Sequence, residues 1–339
     1  MQSEQNQLRN LKWTFRNHSV GMIAENDFQW VEENLTDAGP GQVLVRNLYL
    51  SLDPTNRVWM GEKDTYMPAL KQGEVMRGLA IGVVEKSDNP QFKVGDTVQG
   101  LLGWQKYLVS TGEGLINLPQ IPGLPLEAHF GLLGHIGLTA HYGLLHIGKP
   151  KPGETVVVSA AAGAVGSLAG QIAKIQGCRV IGTAGSDEKC RYLTQELGFD
   201  GAINYKTEPL AGRLRELCPR GIDVYFDNVG GPTLDAVLDL INDFGRVVAC
   251  GMISAYNQDD AFTSRHMVNI VTRRVLIQGF VCLDHPEYAP GAYQDLIRWH
   301  LEGRIKYRVD IVDGLKNAVS AVNKLFTGSN QGKLLVKVS

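Results

Sequence analysis

The sequence predicts an α/β protein: a doubly wound parallel sheet joined to a second, β-rich domain. Three observations predict it. From about residue 131, short apolar runs and helix-period stretches alternate, the pattern of parallel strands with right-handed crossovers. Residues 1–130 instead carry short β-rich runs separated by Gly, Pro, Asn and Asp turns. The 339 residues exceed the roughly 250–300 at which one hydrophobic core stops growing, so two domains are expected.

In chain order, "QVLVRNLYLSL", "AIGVVEK" and "TVQGLLGWQKYLVS" read as strands, and "FKVGDTVQG" enters a strand through a Gly-Asp turn. Residues 156–159 form an apolar run of parallel-strand type. After it, Val165, Leu168, Ile172 and Ile175 recur at helical spacing. "CRVIGTAG" is the next strand. "SDEKCRYLTQELG" is a helix opened by Ser186 and closed by Gly198. "GAINY", a helix near 208–217, "DVYFDNVGG", a helix near 232–241, "GRVVACG" and "VLIQGF" continue the alternation. Two amphipathic helices follow, one facing inward with Tyr293, Leu296, Ile297 and Leu301, the other with Leu315, Ala318, Val319, Val322 and Phe326. "KLLVKVS" ends the chain as a strand.

Composition narrows the function classes. A formal net charge of −2 argues against a general partner of nucleic acid or of anionic membranes. No apolar stretch reaches the roughly 18 residues of a membrane span. The N-terminal "MQSEQNQLRNLKW" lacks the apolar region of a secretory signal. Cys178, Cys190, Cys218, Cys250 and Cys282 are dispersed without a C-x-x-C pair. This reads as reduced thiols in a cytoplasmic protein, packed as small hydrophobes.

"VVVSAAAGAVGSLAGQIAK" has the order strand, small-residue turn, helix of a phosphate-binding turn. The G-x-G-x-x-G template places its glycines for the tight turn, for backbone approach to a pyrophosphate and for close helix–strand packing. Gly163 and Gly166 keep the second and third positions, and Ala161 fills the first provided its φ is negative. The helix N-terminus then offers N–H groups and a positive dipole end. At the end of the second strand, "TAGSDEKCR" has Lys189 in the following helical turn. A carboxylate beside a 2′-phosphate costs about 4 kcal/mol per charge pair at about 4 Å and an effective dielectric of about 20, and a lysine gains a similar amount. Asp187 and Glu188 suit the first helical turn. The cofactor expected is NADP(H).

"SAAAGAVGS", "VIGTAGSDEKC", "LGFDGAINY", "YFDNVGG", "CGMISAYN" and "GSNQGK" resemble, in order, segments of the zinc-free medium-chain dehydrogenase/reductases. The branch most similar is that of leukotriene B4 12-hydroxydehydrogenase/prostaglandin reductase, with alkenal double-bond reductases and curcumin reductase-like enzymes. The resemblance implies a GroES-like substrate domain over 1–130, completed by 304–339, and a Rossmann NADP-binding domain over 131–303. It implies a homodimer paired through sheet edges near "VLIQGF". By position it implies that Gly163, Ala164, Val165, Gly166 and Ser167 hold the pyrophosphate, and that Lys189 and Tyr205 meet the 2′-phosphate. Asn228 would sit beside the cofactor. Cys250, Gly251, Ile253, Ser254 and Tyr256 would line the ribose path, with Phe280, Val281 and Cys282 under the nicotinamide and Asn330 near it.

Zinc-dependent relatives need a Gly-His-Glu segment and cysteines. Here that segment reads "GEVMRGLAIG", and the first cysteine is Cys178, so no metal is expected. His129, His135, His141 and His146 lie in an apolar, glycine-rich stretch and are read as packing or surface residues. Without a Lewis acid, reduction of an activated C=C bond is the reaction implied. Hydride reaches the β-carbon of a small hydrophobic enone or enal, and the charge on the carbonyl oxygen needs hydrogen-bond donors. The family's "DPYMR" is "DPTNR" here, placing Thr55, Asn56 and Arg57 at the substrate pocket without its tyrosine. "DTYMPAL" supplies Tyr66 as the first catalytic candidate, and "SAYN" supplies Tyr256. Another branch tyrosine falls near Thr272. Trp59, Trp104 and Tyr107 are read as core. A quinone reductase on the same scaffold, or a protein that binds NADPH without turnover, are the alternatives.

Overall fold

The computed structural model describes residues 8–18, 21–258 and 264–338. The first seven residues of the polar N-terminal stretch lie outside them. The chain divides into two compact units, one drawn from Met1–Leu124, Asp310–Ser329 and Leu334–Ser339, the other from Pro125–Val309 and Asn330–Lys333. The rhythm of the sequence changes near 131 and the family resemblance implies completion by 304–339, whereas the units divide at 124/125 and 309/310 and residues 330–333 sit with the second unit. The reason is backbone pairing: Gly332 bridges to Gly163, and the Lys333 N–H donates to the Arg308 carbonyl at 2.9 Å. Side-chain periodicity carries no trace of either bond.

In the first unit, Arg9–Phe15 and Phe28–Asn34 form an antiparallel pair. Val43–Ser51 pairs antiparallel with Ala80–Ser87, Tyr107–Ser110 and Lys333–Lys337. Ala80–Ser87 pairs on with Thr97–Gly100, so "TVQGLLGWQKYLVS" is two strands rather than one. Trp104 is fully buried and stacks on Phe28 at 5.7 Å, with Trp59 and Met76 in the same core. Tyr107 is also buried.

The second unit holds six strands: Thr155–Val158, Arg179–Ala184, Gly201–Asn204, Ile222–Asp227, Ile241–Ala249 and Leu276–Gly279. Counted in chain order, they lie side by side as 3-2-1-4-5-6, with every pairing parallel. That is the Rossmann order. The first strand is buried along its whole length, as a parallel strand covered on both faces must be. Val157, Ile181, Ile203, Tyr225 and Val247 share one core with Leu214, Val237 and Leu238 of the crossover helices.

Three elements differ from the sequence reading. The fifth strand starts at Ile241 rather than Gly245, because Ile241 is buried and pairs with Ile222 before a bulge. The helix Ala289–Leu301 buries Ala292, Leu296 and Trp299, while Leu301 is 62% exposed. Trp299 stacks on His141 at 6.0 Å, and seating that ring turns the helix away from the expected face. Residues 315–327 are three short helices, Leu315–Asn317, Ala318–Val322 and Lys324–Thr327. At the break, the Asn323 amide donates to the Ile23 carbonyl at 2.7 Å, yet Leu315, Ala318, Val319 and Val322 stay buried.

Helix Ala164–Ile175 lies close against the loop before the third strand through Gly170, where a Cβ would fall 1.9 Å from the Phe199 ring. Gly170→Ala should therefore destabilise the protein by about 1 kcal/mol or more in urea unfolding. Overpacking of this kind costs about 1–3 kcal/mol and outweighs the gain of up to about 1 kcal/mol in helix propensity. An unchanged or raised midpoint would contradict the close packing.

Candidate functional site

The turn after the first strand resolves the alanine question. Ala161 is fully buried, donates its N–H to the Thr183 carbonyl at 2.9 Å, and does not adopt a positive φ. The left-handed residue is its neighbour Ala160, at φ +46. Its carbonyl accepts the Gly163 N–H at 2.9 Å and closes the turn. Gly163 caps helix Ala164–Ile175 in extended conformation, with no side chain on the helix N-terminus. The first-turn N–H groups of Ala164, Val165 and Gly166 have no intrahelical acceptor. At Gly166 a Cβ would meet the Ala160 carbonyl oxygen at 2.5 Å, so only glycine fits. Ser167 is buried and donates its hydroxyl to the Ala164 carbonyl at 3.1 Å. This is a cradle of backbone donors at a positive dipole end, fit to hold a pyrophosphate.

At the end of the second strand, Ser186 caps the helix Asp187–Arg191 by accepting the Lys189 N–H at 3.3 Å. The two acids are engaged locally. The Asn204 amide donates to Asp187 at 2.7 Å, and the Gln331 amide donates to Glu188 at 2.8 Å. Tyr205, which follows the third strand, is 46% exposed. Its hydroxyl and the Lys206 stem lie 3.0 and 3.2 Å from where a Cβ on Gly185 would stand. Lys189, Tyr205 and Lys206 thus flank the strand end where an NAD site would carry a carboxylate. Sequence reasoning missed Lys206, although its place directly after "GAINY" was a usable signal.

The first and fourth strands are neighbours whose crossovers leave in opposite directions, which is where such sheets bind ligands. There the Asp227 carboxylate is buried and accepts from the Tyr225 hydroxyl (2.8 Å), the Ser159 hydroxyl (3.3 Å) and the N–H groups of Val229 and Gly230 (2.9 and 2.8 Å). Burial raises its pKa above the usual carboxylate value, opposed by the Gly230 and Val229 N–H groups and the two hydroxyls. Asn228 donates its N–H to the Ser159 hydroxyl at 2.9 Å and its amide to the Ser159 carbonyl at 2.7 Å, which fixes its side chain. Sequence reading named Asn228 but neither Ser159 nor Asp227, because nothing local marks a buried carboxylate as a clamp.

The loop 250–256 closes on this point. Cys250 and Gly251 donate their N–H groups to the Asp227 carbonyl, and Ile253 donates to Asn228. The Ser254 hydroxyl donates to Val229 at 2.6 Å. Tyr256 accepts the Met252 N–H on its hydroxyl at 3.2 Å, so it also braces the loop. Burial, with Cys282 and Asp227 adding, pushes the Cys250 thiol far up. Phe280 packs on Tyr142 at 5.7 Å, Val281 precedes a short helix, and Cys282 is buried with its thiol on the His135 carbonyl at 3.7 Å. Asn330 is buried and donates to the Gly332 carbonyl at 2.9 Å. His141 and His146 pack among aromatic rings, with His141 on Asp295 at 3.1 Å.

In the first unit, Pro54 leads into the helix Thr55–Trp59. The Thr55 and Tyr66 hydroxyls form a short hydrogen bond, and Tyr66 is 50% exposed. Asn56 is buried and spent on its own turn, accepting the Asp53 N–H at 2.8 Å and donating to the Arg77 carbonyl at 3.2 Å. Arg57 donates to the Gly21 carbonyl at 3.4 Å. Thr272 is exposed and bonds within its own helix. Among the described residues, no three His, Cys, Asp or Glu side chains gather as a metal set. The segment 73–82 offers only Glu74, which accepts the Lys71 N–H at 3.0 Å. The donors that catalytic zinc requires are therefore missing from the position where zinc-dependent relatives carry them.

A Rossmann unit with an uncapped phosphate turn and a separate β-rich unit define a nucleotide-dependent oxidoreductase architecture. Residues 11–118 match the family described as "N-terminal domain of oxidoreductase", and residues 164–300 match "Zinc-binding dehydrogenase". The chain is 40% identical to the NADPH-dependent curcumin reductase of Escherichia coli (strain K12), over 99% of each chain. It is 38% identical to the NADP(+)-dependent 2-alkenal reductase of Nicotiana tabacum, over 98% of each. The crystal structure of CurA in complex with NADPH from Vibrio vulnificus superposes with a TM-score of 0.93 at 39% identity, covering 98% of this chain and 99% of that one. The chain belongs to the medium-chain dehydrogenase/reductase family, among its prostaglandin, curcumin and 2-alkenal reductases.

Two substitutions test the turn. Ala160→Gly should leave thermal stability equal or higher, because φ +46 strains an alanine, whereas Ala161→Gly should lower it by about 0.5–1 kcal/mol. Equal losses at both positions would place the strain elsewhere. Gly166→Ala should abolish measurable dinucleotide binding, since the new methyl meets backbone that cannot yield. Retained affinity in a fluorescence titration would count against the cradle.

Proposed function

We propose that this protein is an NADPH-dependent reductase of the activated C=C bond in small, hydrophobic α,β-unsaturated aldehydes and ketones, working without a metal. The observation that carries the reading is the second-strand end. Lys189, Tyr205 and Lys206 flank it, while Asp187 and Glu188 are tied to neighbouring amides. The names borne by the relatives, NADPH-dependent curcumin reductase and 2-alkenal reductase, support the same reaction class.

Gly163 to Ser167 would hold the pyrophosphate, Lys189 and Tyr205 the 2′-phosphate, and Asn228 the ribose side. The loop 250–256, Phe280–Cys282 and Asn330 would complete the cofactor site. Bound NADPH supplies the hydride to the substrate β-carbon. The protein's task is the charge that develops on the carbonyl oxygen. The Thr55–Tyr66 hydroxyl pair takes that role in our reading: Thr55 stands where relatives of this branch carry a tyrosine, and Tyr66 provides the phenol from the next loop. A donor aimed at such an oxygen is worth about 2.7–4 kcal/mol of barrier. The bond between the two hydroxyls orients both, and the half-exposed phenol can take its proton from water. Tyr256 keeps a bracing role at the cofactor loop.

The chain acts as a homodimer in this reading. The edge strand Leu276–Gly279 exposes Leu276 and Ile277 beside Val268 and Val271, an unpaired apolar edge that a second copy would cover. A cytoplasmic setting accords with five free cysteines, of which burial pushes the Cys178, Cys190 and Cys218 thiols up to about 11.

The deciding assay follows nicotinamide absorbance with a medium-chain 2-alkenal, an aryl enone and a small quinone, using NADPH and then NADH, with and without chelator. Turnover of the enal or enone with NADPH, insensitive to chelator, is expected. Turnover of the quinone alone would replace the reading with a quinone reductase. NADPH binding without any turnover would make the protein a holder of the cofactor. Lys189→Ala should weaken NADPH at least tenfold more than NADH, and equal losses would remove the 2′-phosphate assignment. Tyr66→Phe should lower kcat on the enone tenfold or more at unchanged NADPH affinity. An unchanged kcat would take Tyr66 out of the mechanism.

A further inference from the structure

Residues 306–308 and 330–333 are clamped against the phosphate turn. Buried Gln171 grips the Lys306 backbone twice, donating to its carbonyl and accepting its N–H, both at 2.8 Å. Lys333 bonds the Arg308 carbonyl at 2.9 Å, and Gly332 bridges to Gly163. At Gly332, φ is +75 and a Cβ would fall 2.3 Å from the Arg308 carbonyl oxygen, so the two strands can meet only through a glycine.

This clamp sets the Arg308 side chain at a cleft lined by Ala162, Lys189, Gln331 and Gly332, with Glu188 and Tyr192 completing it. The guanidinium lies 3.7 Å from the Tyr192 ring centroid, which fixes its plane. Its Nη2 donates to both carboxylate oxygens of Glu196, at 2.7 and 2.8 Å. The Nε and Nη1 donors meet no acceptor among the described residues. A planar cation with unspent donors therefore shares a cleft with a lysine, next to the phosphate turn. Such a donor suits a phosphate oxygen.

We propose that Arg308 is a further binding residue for the dinucleotide, donating from Nη1 to a phosphate that Lys189 also meets. The inference rests on the NADPH reading above. Glu196 holds the guanidinium by Nη2 and leaves Nη1 for the ligand, so it tempers the cation as well as orienting it. The phosphate is either the 2′-phosphate or the pyrophosphate, and the two are separable by cofactor.

The test is fluorescence titration of the full-length wild type and of Arg308→Ala, Arg308→Lys and Glu196→Gln with NADPH and with NADH, with thermal melts to confirm folding. Arg308→Ala should raise the Kd for NADPH tenfold or more. Loss confined to NADPH assigns the 2′-phosphate, whereas equal loss with NADH assigns the pyrophosphate. Arg308→Lys should recover only part of the affinity, because a single ammonium cannot hold Glu196 and meet the phosphate through separate nitrogens of one plane. Glu196→Gln should tighten NADPH severalfold, which a merely structural ion pair would not do. Unchanged NADPH affinity in Arg308→Ala, beside a wild type that binds and a Lys189→Ala that does not, would overturn the role of Arg308 and leave the cofactor reading standing. A wild type that binds no NADPH would overturn both.

Discussion

The contact on which the nucleotide-binding unit depends is the near-touch of helix Ala164–Ile175 against the sheet. Three glycines permit it, each meeting a different neighbour. Gly166 faces the Ala160 carbonyl, Gly170 faces the Phe199 ring, and Gly182 of the second strand faces the Ala161 methyl. A Cβ at any of them would intrude below about 3 Å, so the helix, the turn before it and the second strand keep their close neighbours only while all three are bare. The approach in turn aims the open first turn of the helix at the ends of the strands. The phosphate cradle is a by-product of packing, which is why it can be built without a side-chain ligand.

The same economy explains where strain sits. The turn needs one left-handed residue, and Ala160 supplies it at φ +46. A non-glycine there costs about 1–3 kcal/mol and persists only where the surroundings over-determine it. Here the Ala161 N–H on Thr183 and the Gly163 N–H on Ala160 hold the two sides of the turn. Across the switch point, Asp227 does comparable work for the fourth strand by gathering two hydroxyls and two N–H groups on one oxygen. An unpaired buried carboxylate is costly, and these four donors offset part of that cost while fixing Val229 and Gly230.

Electrostatics then select the nucleotide. The acids at 187 and 188 each accept a hydrogen bond from an amide, that of Asn204 and that of Gln331. In the proposed reading, Lys189, Lys206 and the Tyr205 hydroxyl make the strand end receptive to an extra phosphate. Gln331 comes from the far end of the chain, so a residue some 140 positions away decides how one glutamate in the second βα turn behaves.

Much of this was legible in the sequence. The strand–helix alternation, the role of Gly163 and Gly166, the Ser186 cap and the basic end of the second strand are local features. Each follows from periodicity or from the conformational range of a single residue. The family followed from six short segments in order. What tertiary structure alone decided is non-local: that Ala160 rather than Ala161 takes the left-handed turn, that Trp299 displaces Leu301 from the buried face, and that residues 330–333 join the nucleotide-binding unit. Backbone bonds and ring packing between distant segments fix these, and neither leaves a period in the chain. Asp227 and Arg308 were invisible for the same reason, since a charged residue acquires its part only from the neighbours that folding brings to it.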